Sequence, residues 1–276
     1  MNAAQLLPPA VQRLRAAGVA DPMGDARRLL AFALDVAPGR LTLLLYDPVP
    51  DGAADRFEAA IFARENHQPV AQIIGHRLFY GREFLVTSDV LDPRPETEIS
   101  VLAALARPAN RILDMGTGSG CLLFSLLAEW PEACGVATDI SAPALAVARE
   151  NAERLGLRDR AAFQQCSWAE DVEGQFDLIL SNPPYISAAE MQDLAPDVLK
   201  WEPDLALSPG GDGLDAYRAL IPQAAHHLEP QGRLILEIGP SQAAAVIELG
   251  QAAGLVHIGL HKDLDGRDRS LEFSQL

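Results

Sequence analysis

The chain has little with which to cross-link itself or ligate a metal. Its three cysteines, Cys121, Cys134 and Cys166, form no CxxC pair, which argues against a disulfide framework or a zinc site and fits a reducing cytoplasm. His226 and His227 are adjacent and so point to different helix faces, and His67, His76, His257 and His261 show no HExxH-like spacing; no metal is assigned. No apolar run approaches the length of about 18 residues that a membrane span needs. The N-terminus lacks a basic-then-apolar signal segment. Positive charge is scarce, with 22 Lys and Arg against 38 Asp and Glu for a net −16. Binding to nucleic acid relies on neutralising phosphates, so direct contact with DNA or RNA is not expected. Aromatic residues make up 6% and methionines number four, so Ala and Leu must fill the core. These absences predict a soluble, cytoplasmic protein with no membrane contact. Its 276 residues allow one large domain or two smaller ones.

What is present divides into three stretches. Ala26, Leu29, Leu30, Ala33 and Leu34 share one helical face, as do Ala53, Phe57, Ala60 and Ile61. Val11, Leu14 and Val19 indicate an earlier helix, which Pro8-Pro9 are placed to open. Residues 1–74 therefore read as a small helical bundle, either a packing module or a substrate-docking module. Residues 75–95 form a connector. Arg77–Tyr80 and Glu83–Val86 read as two short strands around Gly81-Arg82, and Pro93 and Pro95 stiffen the end of the connector. The connector reads as a linker that also straps the mouth of a cleft, with Glu96, Thr97 and Glu98 near a ligand. From residue 96 to 276 strands and helices alternate, the pattern of an α/β domain with a parallel sheet covered on both faces. Ligands of such sheets lie beyond the carboxyl ends of the strands.

The first of these strands, Arg111–Met115, runs into Gly116-Thr117-Gly118-Ser119-Gly120 at the start of a helix. Glycines there let a ligand approach the backbone, and the helix start offers free N–H groups. A dinucleotide loop has GxGxxG, whereas Cys121 stands at the third glycine of that pattern. No lysine comes after it, so this is not a Walker loop either. Asp139 ends the next strand and is placed to accept both hydroxyls of a ribose. Adenosine without pyrophosphate points to S-adenosyl-L-methionine.

After Phe176–Ser181 comes Asn182-Pro183-Pro184-Tyr185. Neither proline donates an N–H, and each fixes its own φ and restricts its predecessor. The loop is therefore stiff and holds Asn182 and the Tyr185 ring in fixed relation, an arrangement suited to a flat, uncharged amide or amine. Two other groups stand out. Glu237 ends a strand beside this site and reads first as a structural anchor. Asp263–Arg269 reads as a charged surface turn.

Several motifs together resemble one family. They are Gly75-His-Arg-Leu-Phe79, Pro93-Arg-Pro-Glu-Thr-Glu98, Asp114-x-Gly-Thr-Gly-Ser-Gly120, Ser181-Asn-Pro-Pro-Tyr-Ile186, Glu202-Pro203, Gly211-Asp-Gly-Leu-Asp215, Leu236-Glu-Ile-Gly239 and Asp263-Leu-Asp-Gly-Arg-Asp-Arg269. The chain resembles the HemK-type release-factor glutamine methyltransferases. The resemblance implies a class I, seven-stranded, Rossmann-like methyltransferase domain behind a helical N-terminal domain. It implies methyl transfer from S-adenosyl-L-methionine, leaving S-adenosyl-L-homocysteine. The acceptor it implies is the side-chain amide of the glutamine in the Gly-Gly-Gln motif of class I peptide-chain release factors. Another protein glutamine, such as one in a ribosomal protein, or the N6 of adenine in nucleic acid, is the alternative acceptor. The sequence departs from the family at two places. Cys166-Ser167-Trp168 replaces Gly-Asp-Trp, keeping the adenine-flanking Trp168, and Leu91-Asp92-Pro93-Arg94-Pro95 stands where the family has Leu-Ile-Pro-Arg-Pro.

An amide nitrogen is a poor nucleophile because its lone pair is delocalised, so catalysis is expected to be mostly positioning. The Asn182 side-chain oxygen and the Pro183 carbonyl would each accept one amide N–H, and Tyr185 would pack on the amide plane. Pro184 completes the substrate clamp. Gly116, Thr117, Gly118, Ser119, Gly120, Asp139, Trp168 and Asn182 would hold the methyl donor.

Overall fold

The structure is a computed structural model that describes residues 2–276. By internal contacts the chain divides into two units. One is the chain up to His76 together with Ala195–Trp201; the other is Arg77–Leu194 with Glu202–Leu276.

The first unit is helical: α1 (Ala3–Ala16), α2 (Pro22–Ala33), α3 (Leu41–Leu44), α4 (Ala53–Glu65) and α5 (Val70–Ile74). Helix α1 opens at Asn2, whose side chain accepts from Gln5 N while Gln5 reaches back to Asn2 N. Pro8 and Pro9 were expected at its start but lie inside it; the capping box nucleates the helix a turn and a half earlier. Leu7, Leu14, Leu29, Leu30, Phe57 and Ile61 fill the core. Fully burying each such side chain contributes about 1.5–3 kcal/mol. Asp25 is buried under Arg64 at 2.7 Å. The segment Pro196–Trp201, far along the chain, is tied in by Gln72 donating to Trp201 O and by the Trp201 indole donating to Asn66 O. Its place in this unit was not foreseen.

The second unit begins with the hairpin β1 (His76–Phe79) and β2 (Arg82–Leu85). Its turn puts Tyr80 and Gly81 at φ +45° and +74°, the two left-handed positions of the tight hairpin turn. The chain continues through α6 (Glu98–Leu105), β3 (Arg111–Met115), α7 (Cys121–Glu129), β4 (Cys134–Asp139), α8 (Ala142–Arg154), β5 (Ala161–Gln165) and β6 (Phe176–Ser181). After the Pro196–Trp201 helix, α9, come α10 (Asp204–Leu207), α11 (Asp215–His227), β7 (Leu228–Glu237), α12 (Ala243–Ala252), β8 (Val256–Lys262) and β9 (Asp268–Ser274).

Strands β3 to β9 form one sheet in the order β5-β4-β3-β6-β7-β9-β8. Strands β3 to β7 are parallel, but β9 runs antiparallel to both β7 and β8. The sheet is therefore mixed rather than purely parallel. A short turn joins β8 to β9 directly, and a connection that short permits only antiparallel neighbours. Alternation sends Ile112, Leu178, Leu180 and Ile235 to the face under α6, α7 and α8. Leu113, Met115, Ile179, Leu234 and Leu236 face the other side, under α11 and α12. The strand order reverses between β3 and β6, the switch point at which open α/β sheets bind their ligands.

Candidate active site

The loop after β3 is held from three sides. Gly116 N and Thr117 N both donate to Thr138 O, at 2.9 and 2.8 Å. Gly118 N donates to Asp139 Oδ2 at 3.0 Å. Buried Asn151 donates to Ser119 O at 2.9 Å and also accepts from Leu85 N, pinning the loop to the hairpin. Gly116, Gly118 and Gly120 all have positive φ, and a Cβ on Gly120 would stand 2.0 Å from the Phe124 ring. Here glycine is required by conformation and by space together.

Two carboxyl groups flank this loop. Asp114 is buried and accepts from the Thr117 hydroxyl at 2.7 Å. Burial pushes its pKa up to about 7, against that hydrogen bond. Asp139 accepts from Ser141 N at 2.9 Å as well as from Gly118 N. Its pKa is also raised by burial, with the N–H groups of Ser141, Gly118 and Ile140 opposing. The Ser141 hydroxyl caps α8 by accepting from Ala144 N at 3.2 Å.

A cavity of about 220 Å³ opens over the switch point. Gly116, Thr117, Gly118, Ser119, Asp139 and Trp168 line it on the β3–β5 side, and Asn182, Pro183 and Pro184 on the β6 side. The structure thus brings these predicted residues to one space; Gly120 is not among the lining residues and is buried at the start of α7 instead. Trp168 has φ +56°, a strained conformation for a bulky residue. The position a Cβ of Gly116 would take is 3.4 Å from its ring, so the loop lies directly against the indole. Ser167, one of the departures from the family pattern, also lines the cavity. Asp92, another, is buried, 3.4 Å from the Arg77 guanidinium.

Asn182 Nδ2 donates to the Thr97 hydroxyl at 3.3 Å. Pro93 and Arg94 of the connector and Thr97 just after it border the cavity, whereas Glu96 and Glu98, also expected near a ligand, do not line it. Arg94 donates to both carboxylate oxygens of buried Glu202, at 2.7 and 2.6 Å, joining the strap to the segment Pro203–Ala206 that forms another wall. Tyr185 is placed differently from the expectation. It does not line this cavity but a neighbouring groove with Ile186, Ser187 and Gly239. Its hydroxyl stands 3.4 Å from Glu237 Oε1 and 3.4 Å from Arg269 Nη1. The lack of a side chain on Gly239 makes room for the ring, as a Cβ there would meet Tyr185 Cδ2 at 3.4 Å. Asp263 and Arg269, expected on a surface turn, are buried and paired at 3.0 Å; only the tip around Leu264 is exposed. Cys121, Leu122, Ile140, Ala144 and Leu205 line the cavity, although nothing in the sequence marks them as ligand contacts. Their apolar character makes them look like helix core. Burial pushes the Cys121 thiol up to about 12, so it does not serve as a thiolate nucleophile.

Residues 88–258 match the methyltransferase small domain family, and residues 5–75 match the PrmC N-terminal domain family. A release factor glutamine methyltransferase of Cereibacter sphaeroides is 58% identical over 98% of this chain and 97% of its own. One of Rhodospirillum rubrum is 44% identical over 97% of this chain and 83% of its own. Among solved structures, a methyltransferase from Pyrococcus furiosus superposes with a TM-score of 0.55 over 71% of this chain and 90% of that one. At 20% identity that likeness is one of fold.

Proposed function

The chain belongs to the release factor glutamine methyltransferases, and on that premise we propose that it methylates the side-chain amide nitrogen of the glutamine in the Gly-Gly-Gln motif of class I release factors. The observation that carries the reading is the meeting of the Gly116–Gly120 loop, Asp139, Trp168 and Asn182-Pro183-Pro184 around one cavity.

The residues fit the methyl donor. The glycine loop leaves backbone exposed, Trp168 offers a flat wall for adenine, and Asp139 retains lone pairs for ribose hydroxyls. When bound, S-adenosyl-L-methionine supplies a methyl group on a positively charged sulfur. The protein's own part is to hold the acceptor. Asn182 Oδ1 and the Pro183 carbonyl accept the two amide hydrogens and orient the nitrogen, and the prolines keep both acceptors still. Pulling on both hydrogens raises electron density at nitrogen as the carbon–nitrogen bond replaces the carbon–sulfur bond, and one of the two hydrogens then leaves the methylated nitrogen to solvent as a proton. Tyr185 steadies the loop from its groove through Glu237 and Arg269, and Pro184 closes the clamp's wall. The helical unit serves as the docking module for the release factor. The setting is the cytoplasm, where translation terminates. Among the described residues, no helix is long and apolar enough to cross a membrane.

The test supplies methyl-labelled S-adenosyl-L-methionine with a release factor, with its Gln→Ala variant, and with DNA and RNA. Label is expected in the intact release factor alone. Label in the Gln→Ala variant or in nucleic acid would overturn the reading. Asn182→Ala should abolish transfer while leaving donor binding largely intact.

A further inference from the structure

Strand β7 ends at Glu237, whose side chain is 1% exposed. A buried carboxylate of this kind is costly unless donors surround it. Its Oε1 takes the Tyr185 hydroxyl at 3.4 Å, and its Oε2 has no hydrogen-bond partner among the described residues. Arg269 is near, but its guanidinium is committed to Asp263 through Nε and Nη2. Of its neighbours, the Thr97 hydroxyl does most to favour the charged form, and the buried Oε2 is free to take its hydrogen. Thr97 is also the group to which Asn182 Nδ2 donates. Glu237 thus takes the Tyr185 hydroxyl directly and is stabilised by Thr97, the group to which Asn182 donates.

We propose that Glu237 is a positioning residue that sets the polarity of the clamp: its carboxylate takes the Thr97 hydroxyl hydrogen, which leaves Thr97 only lone pairs to offer Asn182. Asn182 must then turn its NH₂ to Thr97 and its Oδ1 to the cavity. This inference rests on the functional reading above, since only a substrate amide that donates its hydrogens needs an acceptor there. A hydroxyl has one hydrogen and two lone pairs, while an amide presents donors at one end and acceptors at the other. Reversing the hydroxyl would let Asn182 flip and set NH₂ against NH₂.

The protonation state of Glu237 controls the relay, because a neutral carboxyl can donate to Thr97. Burial pushes its pKa up to about 7; Thr97 and Arg269 hold it down, Glu96 pushes it up, and the Tyr185 hydroxyl lowers it. Tyr217 from α11 and Cys121 from α7 also face it, their own pKa values being raised in part by its charge. Asp263 is paired with Arg269 at 3.0 Å. The relay is set when Glu237 is ionised, so turnover rises as pH rises through about 7.

The experiment uses the full chain and an intact release factor, measuring kcat and both KM values from about pH 6 to about pH 9. Glu237→Gln and Thr97→Val should lower kcat about a hundredfold, the loss expected when a reacting group is misplaced. The KM for S-adenosyl-L-methionine should stay within about twofold, as uniform binding is untouched. Thr97→Ser, which keeps the hydroxyl, should restore turnover, and Glu237→Gln should lose the rise near pH 7. Glu237→Gln with wild-type kcat, or one that keeps that rise, would overturn the proposal. So would Thr97→Ser behaving like Thr97→Val, a comparison that stands even where Glu237→Gln fails to fold. A wild-type chain that leaves the release factor unlabelled would instead refute the functional reading.

Discussion

Replacing Asp139 by Asn separates two roles that one carboxylate holds in this site. The carboxylate accepts from Gly118 N at 3.0 Å and from Ser141 N at 2.9 Å. An Asn can accept from one of them, and its NH₂ then faces the other donor. Losing one hydrogen bond to a charged acceptor costs about 1.5–3 kcal/mol. In a domain of this size that lowers the melting temperature by about 3–10 °C without any ligand. The same carboxylate is also proposed to accept the ribose hydroxyls. A further loss of about 1.5–3 kcal/mol there weakens donor binding about tenfold to 150-fold. Calorimetric titration with S-adenosyl-L-homocysteine reads the second effect, and a melt of the free protein reads the first. At saturating donor, kcat should change less than about threefold, because the clamp on β6 is untouched. If the melting temperature fell while the dissociation constant stayed within about twofold, Asp139 would be a loop staple only and the ribose would lie elsewhere.

Other variants probe different parts of the same structure. Gly120→Ala, at φ +82° and with its new Cβ 2.0 Å from Phe124, should lose at least about 1–2 kcal/mol of stability from the backbone alone, read by urea unfolding, together with donor binding. Arg233 is buried and donates to the carbonyls of Ala103, Ala104 and Arg107 at the end of α6 and to Glu272 at 2.9 Å; Arg233→Ala should cost about 3–5 kcal/mol in the same assay. Folded Asp114 titrates near 7 against a reference of 3.8, so between those values the folded chain keeps a proton that the unfolded chain has lost. Stability therefore falls as pH rises through that window. Asp114→Asn, which can still accept from Thr117, should gain on the order of 3 kcal/mol relative to the wild type between about pH 4 and about pH 8. A pH-independent difference between the two proteins would refute that assignment.

The sheet was legible because its strands are short apolar runs separated by glycines, capping residues and helical periodicity. The cavity was legible because Gly116–Gly120 and Asn182–Tyr185 each come directly after such a strand, and a parallel sheet puts all strand ends on one side. The direction of β9 was not, since Leu271 and Phe273 pattern alike in either orientation. Nor was the seat of Tyr185 beside Glu237 and Arg269. It depends on the bare Cα of Gly239 and on Gln242 donating to Tyr185 O at 2.9 Å, both more than fifty residues away. The helix Pro196–Trp201 is too short for its periodicity to reveal what it packs on. Glu237 is easily undervalued because a strand-end carboxylate looks ordinary until its burial is seen.

Strands β3 and β6 are immediate neighbours, and one carries the proposed donor loop while the other carries the proposed acceptor clamp. The gap between them is thus metered by a single rung of the ladder, about 4.8 Å. Insertions in the surrounding loops can change which polypeptide gains entry without stretching that ruler. Selectivity and transfer geometry are consequently adjustable apart from each other, and a redesign for a new acceptor would begin at the rim and leave the two strands alone.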